Sequence, residues 1–168
     1  IEIGKLMGAK VIACARGKEK LEVCNSAGAD VLIDSETDDL REAVKAAGGA
    51  DVIYDPVGGD QFRAAMRATN PEARILVVGF ASGDIPQIPA NHLLVKNLNI
   101  MGYYWGGYNR FKPEVLTDSM ATLIRWYDEG KLKPHVGATL PLEQAGDAYE
   151  LMRSRKSTGK VVVTTGRG

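Results

Sequence analysis

Short apolar runs alternate with amphipathic segments along the first half of the chain. Three segments repeat apolar residues at helical spacing, and they are Lys18–Ala27, Asp38–Ala47 and Asp60–Thr69. Runs with the strand pattern surround them: Lys10–Ala15, Asp30–Asp34, Asp51–Asp55 and Arg74–Gly79. Because helices between successive strands form right-handed crossovers, this order predicts a doubly wound α/β fold with a parallel sheet.

The second half of the chain is less regular. A loop rich in glycine and proline, Ser82–Pro89, precedes a helical turn at Asn91–Lys96 and a predicted strand at Asn97–Tyr104. The longest predicted helix, Lys112–Gly130, has a proline in its first turn and a glycine at its end. An extended segment, a helix and a last strand are predicted at Pro134–Pro141, Glu143–Ser154 and Lys160–Thr165.

The first residues have a helix pattern without a helix start signal. Ile3, Leu6 and Met7 follow helical spacing, and Gly8 suits a helix end. The chain contains no GxGxxG turn, which follows the first strand in a dinucleotide-binding fold. We therefore expect the natural chain to start earlier, with a first strand and a Gly-rich turn before Ile1.

Composition and charge exclude several classes of protein. Apolar residues make up 45% and charged residues 25% of the 168 residues, as in ordinary globular domains. The 21 basic and 21 acidic residues give no net charge, which argues against a nucleic-acid partner. The apolar runs fall far short of the roughly 20 residues that span a membrane. Cys14 and Cys24 have no metal-ligand neighbours, so we expect a reducing, cytoplasmic location without a disulfide or metal site.

Basic residues follow the first predicted strand, where ligands bind in parallel α/β sheets. A dinucleotide fold usually places an acidic residue there, which accepts hydrogen bonds from ribose hydroxyls. This chain has Arg16 at that place and Lys20 four residues later. These cations would attract a 2′-phosphate, so they favour NADPH over NADH. The alternative is an ordinary solvated helix start.

Glycines follow two further strands on the same expected edge of the sheet. One turn is Pro56–Gly59, and the other is Phe80–Gly83. Because glycine lets the backbone approach a flat ligand closely, the pair suits a cofactor crevice. Ordinary turn chemistry is the alternative for each of them.

The remaining titratable residues favour structural roles. His92 and His135 are isolated in the sequence and occupy predicted element starts. Asp51 is expected to end a turn, and Asp55 is expected to bond nearby backbone rather than join a catalytic dyad. We assign no catalytic residue.

Five ordered segments carry a family resemblance: MGAKVIACARGKEKLE, AGADVLIDS, GGADVIYDPVGGD, VVGFASGDIPQIPANHLLVKNLNIMGYYWG and STGKVVV. Together they resemble the medium-chain dehydrogenase/reductase superfamily, and within it the NADPH:quinone oxidoreductase, or zeta-crystallin-like, branch. The resemblance implies a Rossmann-like dinucleotide-binding domain over residues 1–133. It also implies that residues 134–168 return in part to a catalytic domain that precedes the chain.

The resemblance also implies roles for single residues. Lys20 matches a lysine that contacts the 2′-phosphate of NADPH, and Arg16 lies beside it. Ser35 takes the place of a residue near the adenine ribose, and Arg155 matches an arginine that reaches the cofactor. The residues expected along the nicotinamide half are Val57, Val78, Gly79 and Phe80. Members of this branch lack catalytic zinc, so no metal site is expected.

The implied reaction is hydride transfer from NADPH to a quinone or another conjugated carbonyl compound. The alternatives are a zinc-dependent alcohol dehydrogenase and an enoyl-thioester reductase of the same superfamily. A third alternative is a non-catalytic module that only dimerises or binds nucleotide.

An assembly surface is predicted at Asn97–Tyr104. This stretch carries no charge and no proline, and a late strand is expected at the edge of the sheet. Aromatic residues follow it directly, and such residues are enriched at interfaces. We therefore expect a homodimer through this strand, which a substitution at Ile100 should break. The alternative is that Lys112–Gly130 covers the same edge within one subunit.

Overall fold

The structure of the chain is a computed structural model that describes residues 1–166. The elements of the first part are α1 (Glu2–Leu6), β1 (Ile12–Ala15), α2 (Gly17–Ser26), β2 (Val31–Asp34), α3 (Leu40–Ala46), β3 (Ala50–Asp55), α4 (Gly59–Arg67) and β4 (Thr69–Val77). Those of the second part are α5 (Ala90–Lys96), β5 (Asn99–Gly102), α6 (Tyr108–Phe111), α7 (Pro113–Asp128), β6 (Val136–Pro141), α8 (Ala145–Arg153) and β7 (Lys160–Thr164). Of the predicted segment 134–168, residues 167–168 lie outside the described part.

All strand pairs are parallel, which confirms the α/β class and the crossover connections. β1 pairs with β2, β4 lies between β3 and β5, and β6 pairs with β7. Within residues 1–166, one edge of β1 and one edge of β3 have no strand partner. In a doubly wound sheet of order 3-2-1-4-5-6, β1 and β3 match the second and fourth strands, which lie on either side of the central strand. Ligands bind outside the carboxyl ends of the strands in such a sheet, so the ends of β1 to β4 form the candidate site.

Two apolar clusters hold the helices against the strands. In one cluster, Phe62 and Met66 of α4 pack on Ile75 of β4, and Phe62 is 1% exposed. In the other, Val44 of α3 packs with Ile33 of β2, which is fully buried. Burial of an aromatic or branched side chain stabilises the fold by about 1.5–3 kcal/mol. The clusters therefore hold α3 against β2 and α4 against β4.

The structure corrects the predicted boundary between α4 and β4. The sequence pattern extends the helix to Thr69, but the helix ends at Arg67, and Thr69 pairs with Ala50 at the start of β3. The ladder then shifts register before Arg74, and Glu72 adopts a left-handed φ of 63°. Proline at position 71 cannot donate to a ladder, so this strand begins with an irregular segment.

One prediction for the second half also needs correction. The strand predicted at Asn97–Tyr104 is limited to Asn99–Gly102, because Asn97 ends α5 in a left-handed conformation with φ 53°. The apolar residues of α7 form one stripe at helical spacing, but no residue of this helix is buried, and Ile124 is 54% and Tyr127 is 60% exposed. Local periodicity marked the helix correctly, but the described residues provide little surface to cover that stripe.

Candidate functional site

The ends of β1 and β2 are joined by backbone and side-chain hydrogen bonds. Arg16 has extended dihedrals and precedes α2, which begins at Gly17 with a φ of 73°. The Gly17 amide donates to Asp34 Oδ1 at 3.1 Å, and the Ser35 amide donates to the Ala15 carbonyl at 3.0 Å. The turn after β1 and the turn after β2 therefore form one hydrogen-bonded unit.

Charged side chains surround the first turn of α2. Arg16 Nε lies 3.2 Å from Glu36 Oε1, and Lys20 Nζ donates to the Arg155 carbonyl at 2.9 Å. Arg155 follows the end of α8 in a left-handed conformation with φ 58°, a place where glycine is common. The structure thus brings four of the predicted residues to this turn: Arg16, Lys20, Ser35 and Arg155.

Asp34 is a residue of this site that the sequence interpretation missed. Its Oδ1 accepts the Glu36 amide at 3.0 Å as well as the Gly17 amide. These two backbone hydrogen bonds, that of Glu36 first, lower the pKa of the Asp34 carboxyl below its usual range. A signal was available, because Asp34 is the last residue of a strand and lies at the edge where ligands bind.

The predicted nicotinamide-side residues meet at the ends of β3 and β4. The buried Asp55 carboxylate accepts the Val57 amide at 3.1 Å and the Gly58 amide at 3.0 Å. The Asp55 carbonyl accepts the amides of Val78 and Gly79 at 2.9 and 3.4 Å. The prediction that Asp55 bonds nearby backbone is confirmed.

The two glycine turns pack directly on each other. The Ser82 amide and hydroxyl both donate to the Val57 carbonyl, at 3.0 and 2.7 Å. A Cβ added at Gly79 would lie 3.3 Å from the Pro56 carbonyl oxygen, so this approach leaves little room for a side chain. Val57, Val78, Gly79 and the half-exposed Phe80 therefore lie together at one edge, as the sequence predicts for neighbouring parallel strands.

An ion pair ties the second turn to α4. Arg63 Nη2 lies 2.7 Å from Asp84 Oδ2, and Arg63 Nη1 lies 2.8 Å from Asp60 Oδ1. The Asp84 carbonyl in turn accepts the Gly59 amide at 3.1 Å. The segment after β4 is thus held over the start of α4 by both charge and backbone.

Other polar features of the described residues do not join this site. A cleft of about 1150 Å³ lies between α2 and the segment 130–136, and charges of both signs line it. His135 Nε2 lies 3.2 Å from Thr158 Oγ1, in keeping with a structural role. Across residues 1–166, no three His, Cys, Asp or Glu side chains are grouped so that they could hold a metal ion. No helix in that range is both long and apolar enough to cross a membrane.

Known proteins resemble this chain over nearly its whole length. Residues 27–163 match the family described as zinc-binding dehydrogenase. The quinone oxidoreductase-like protein 2 homolog of Nematostella vectensis is 42% identical over 164 residues, which cover 95% of this chain and 45% of that protein. The chain therefore spans about half the length of the curated relatives it matches.

Solved structures share the fold of the chain. An NAD-dependent alcohol dehydrogenase superposes with a TM-score of 0.81 at 34% identity, over 98% of this chain and 46% of that one. CurA from Vibrio vulnificus, solved in complex with NADPH, gives a TM-score of 0.80 at 28% identity, over 99% and 52%.

These matches confirm the resemblance inferred from the five sequence segments. The residues of this chain that the structure describes do not supply a zinc site, although the family takes its name from zinc. The chain belongs to the zinc-binding dehydrogenase family, with the Rossmann-like fold of the quinone oxidoreductase branch of the medium-chain dehydrogenases/reductases.

Proposed function

We propose that the protein binds NADPH along the carboxyl ends of β1 to β4, with the 2′-phosphate at Arg16 and Lys20. One observation carries the proposal: both cations stand at the first turn of α2, where a dinucleotide fold usually has an acidic residue. Charge-assisted hydrogen bonds from arginine and lysine are the interactions that recognise phosphate. Ser35 and Arg155 lie beside the same turn and would complete the adenosine side.

The nicotinamide half would lie along the turns after β3 and β4. The peptide groups of Val78 and Gly79 donate to the Asp55 carbonyl, so hydrogen bonds within the chain hold this backbone edge. Bound NADPH supplies a hydride from C4 of its nicotinamide ring. The chain's own contribution is to hold that ring against a rigid backbone edge and to exclude water with Val57 and Phe80.

We propose a quinone, or another conjugated carbonyl compound, as the hydride acceptor of the full-length protein. The name of the Nematostella relative supports a quinone. The similarity to an NAD-dependent alcohol dehydrogenase favours NADH and an alcohol as the competing assignment. The two assignments differ first in cofactor, so a test of cofactor choice separates them.

The test compares NADPH and NADH binding in the full-length protein and in Lys20→Ala. A lost charge-assisted hydrogen bond costs about 1.5–3 kcal/mol, or roughly 10- to 150-fold in affinity. NADPH affinity should fall by that factor, while NADH affinity should stay within twofold. Lys18→Ala, on the same turn of α2 but lining the separate cleft, is the matched control. Equal affinity of the unaltered protein for both nucleotides would contradict the proposal.

We also propose a homodimer through β5 and a cytoplasmic location. Within residues 1–166, β5 pairs with β4 alone, and Met101 in β5 and Tyr104 shortly after it are 44% and 80% exposed. An uncharged open strand is a template for pairing with a second chain. Cys14 and Cys24 are free thiols, which supports a reducing compartment.

A further inference from the structure

The two cations of the proposed phosphate site have partners of different charge. Lys20 donates to the neutral carbonyl of Arg155, and no carboxylate within residues 1–166 forms a salt bridge with it. Arg16 instead faces the carboxylate of Glu36 at 3.2 Å, with both side chains more than half exposed. One of the two positive charges is therefore offset at the place where a 2′-phosphate would bind.

Glu36 is held at this place by the local backbone. Its amide donates to Asp34 Oδ1, and the preceding Ser35 amide donates to the Ala15 carbonyl. The same Asp34 oxygen accepts the amide of Gly17, next to Arg16. The carboxylate of Glu36 thus stands on a loop that is fixed relative to the start of α2, although the side chain itself is solvated.

The chemistry of the two cofactors differs where this carboxylate lies. NADPH carries a 2′-phosphate with about two negative charges, and NADH carries a neutral 2′-hydroxyl. A carboxylate repels the phosphate and competes with it for the arginine. The same carboxylate can accept a hydrogen bond from the hydroxyl, as acidic residues do in NAD-binding folds.

We infer that Glu36 is a specificity-determining residue that narrows the preference for NADPH over NADH. In the structure it pairs with Arg16. When NADPH binds, the 2′-phosphate must displace or approach that carboxylate. When NADH binds, the carboxylate stays in place and faces the 2′-hydroxyl. The inference rests on the proposed function, because it assumes that the nucleotide binds at this turn.

The test measures dissociation constants for NADPH and NADH in the full-length protein and in Glu36→Gln. Removing one unit charge a few ångströms from a phosphate in water changes affinity by about fivefold. We expect NADPH to bind about fivefold or more tightly to the variant, with NADH unchanged or weakened. Glu42→Gln on α3 is the matched control, because its exposed carboxylate also pairs with cations, Arg41 and Lys45.

Two further variants separate charge from structure. Glu36→Asp retains the carboxylate, so its NADPH affinity should stay near that of the unaltered protein. In an Arg16→Gln background, Glu36→Gln should give a smaller gain, since the arginine is no longer there to be released.

The outcomes distinguish the inference from the proposed function. If Glu36→Gln changes NADPH and NADH affinity equally, or if Glu36→Asp gives the same gain as Glu36→Gln, the inference is wrong while the NADPH site stands. If the unaltered protein binds neither nucleotide, the proposed function is wrong and the role of Glu36 is refuted with it.

Discussion

Replacing Gly58 by alanine tests whether the two glycine turns depend on their close contact. Gly58 has φ 74° and ψ −155°, a region that side chains with a Cβ avoid. An ideal Cβ there would lie 2.7 Å from the Asp84 carbonyl oxygen and 3.1 Å from Phe80 Cδ1. The backbone conformation alone costs about 1–3 kcal/mol. The carbonyl must also move, and it belongs to the segment that Arg63 and Gly59 hold.

We therefore expect Gly58→Ala to lower the free energy of unfolding by about 3 kcal/mol, near the upper end of the conformational cost. Gly83→Ala is the matched control in the same segment. Its φ of 82° is also left-handed, but an added Cβ would meet nothing within 4 Å. Gly83→Ala should lower the free energy of unfolding only by the cost of the left-handed backbone conformation, about 1–2 kcal/mol.

Urea denaturation of the two variants and the unaltered protein gives both free energies. NADPH titration of the folded variants adds a functional measurement, because the displaced segment carries Phe80. We expect weaker NADPH binding for Gly58→Ala and unchanged binding for Gly83→Ala. If both variants lose the same stability, the contact with the Asp84 carbonyl contributes nothing and the reasoning fails.

Two other perturbations test the assembly and the charges of the chain. The Tyr103 amide donates to Val77, so by alternation the Gly102 amide points to the open edge of β5. Gly102→Pro should therefore turn dimer into monomer in sedimentation analysis, while Gly102→Ala should not. A wild-type protein that is monomeric at micromolar concentration would end the dimer proposal. The hydrogen bond from Lys5 lowers the pKa of Asp30. The ionised Asp30 carboxylate therefore stabilises the fold above about pH 4, and this stabilisation is lost as the pH falls through the lowered pKa. Asp30→Asn should reduce the unfolding temperature at pH 7, and the difference from wild type should shrink at pH 2–3; a difference that does not depend on pH would contradict this assignment.

The structure changes how the dimer hypothesis should be tested. From the sequence, Ile100 alternates with polar residues and could face a second chain. In the structure Ile100 packs against the cluster around Phe62 and Ile75. A charged residue or proline at position 100 would damage the core as well as the edge. Gly102 avoids this problem, since an added Cβ there contacts nothing within 4 Å.

The order of helices and strands could be predicted because each element carries its own periodicity. The start of β4 could not be predicted in this way. Thr69 enters a strand because it pairs with Ala50, a partner 19 residues earlier, and no local pattern encodes that pairing. The same holds for the apolar stripe of α7. Its spacing is helical, but whether Ile124 is buried depends on what other surface covers it.

The position of the candidate site was predictable for a related reason. Parallel strands end at one edge, so residues after the strands meet there whatever their identity. This rule found Arg16, Lys20 and both glycine turns. It gave no partner for Lys20, whose carbonyl acceptor is 135 residues away and depends on a left-handed turn at Arg155.

The electrostatic character of the site depends on those partners rather than on the cations alone. The sequence shows basic residues after β1 and therefore favours a phosphate. The structure adds Asp34 and Glu36 at the end of β2. Two hydrogen bonds hold the two turns together: the Gly17 amide donates to the Asp34 side chain, and the Ser35 amide donates to the Ala15 carbonyl. Cofactor preference is the difference between the binding free energies of NADPH and NADH. A carboxylate that weakens NADPH binding changes this difference, just as a cation that strengthens NADPH binding does. The choice between NADPH and NADH is therefore a property of the paired turns, and Arg16 and Glu36 have to be varied together to measure it.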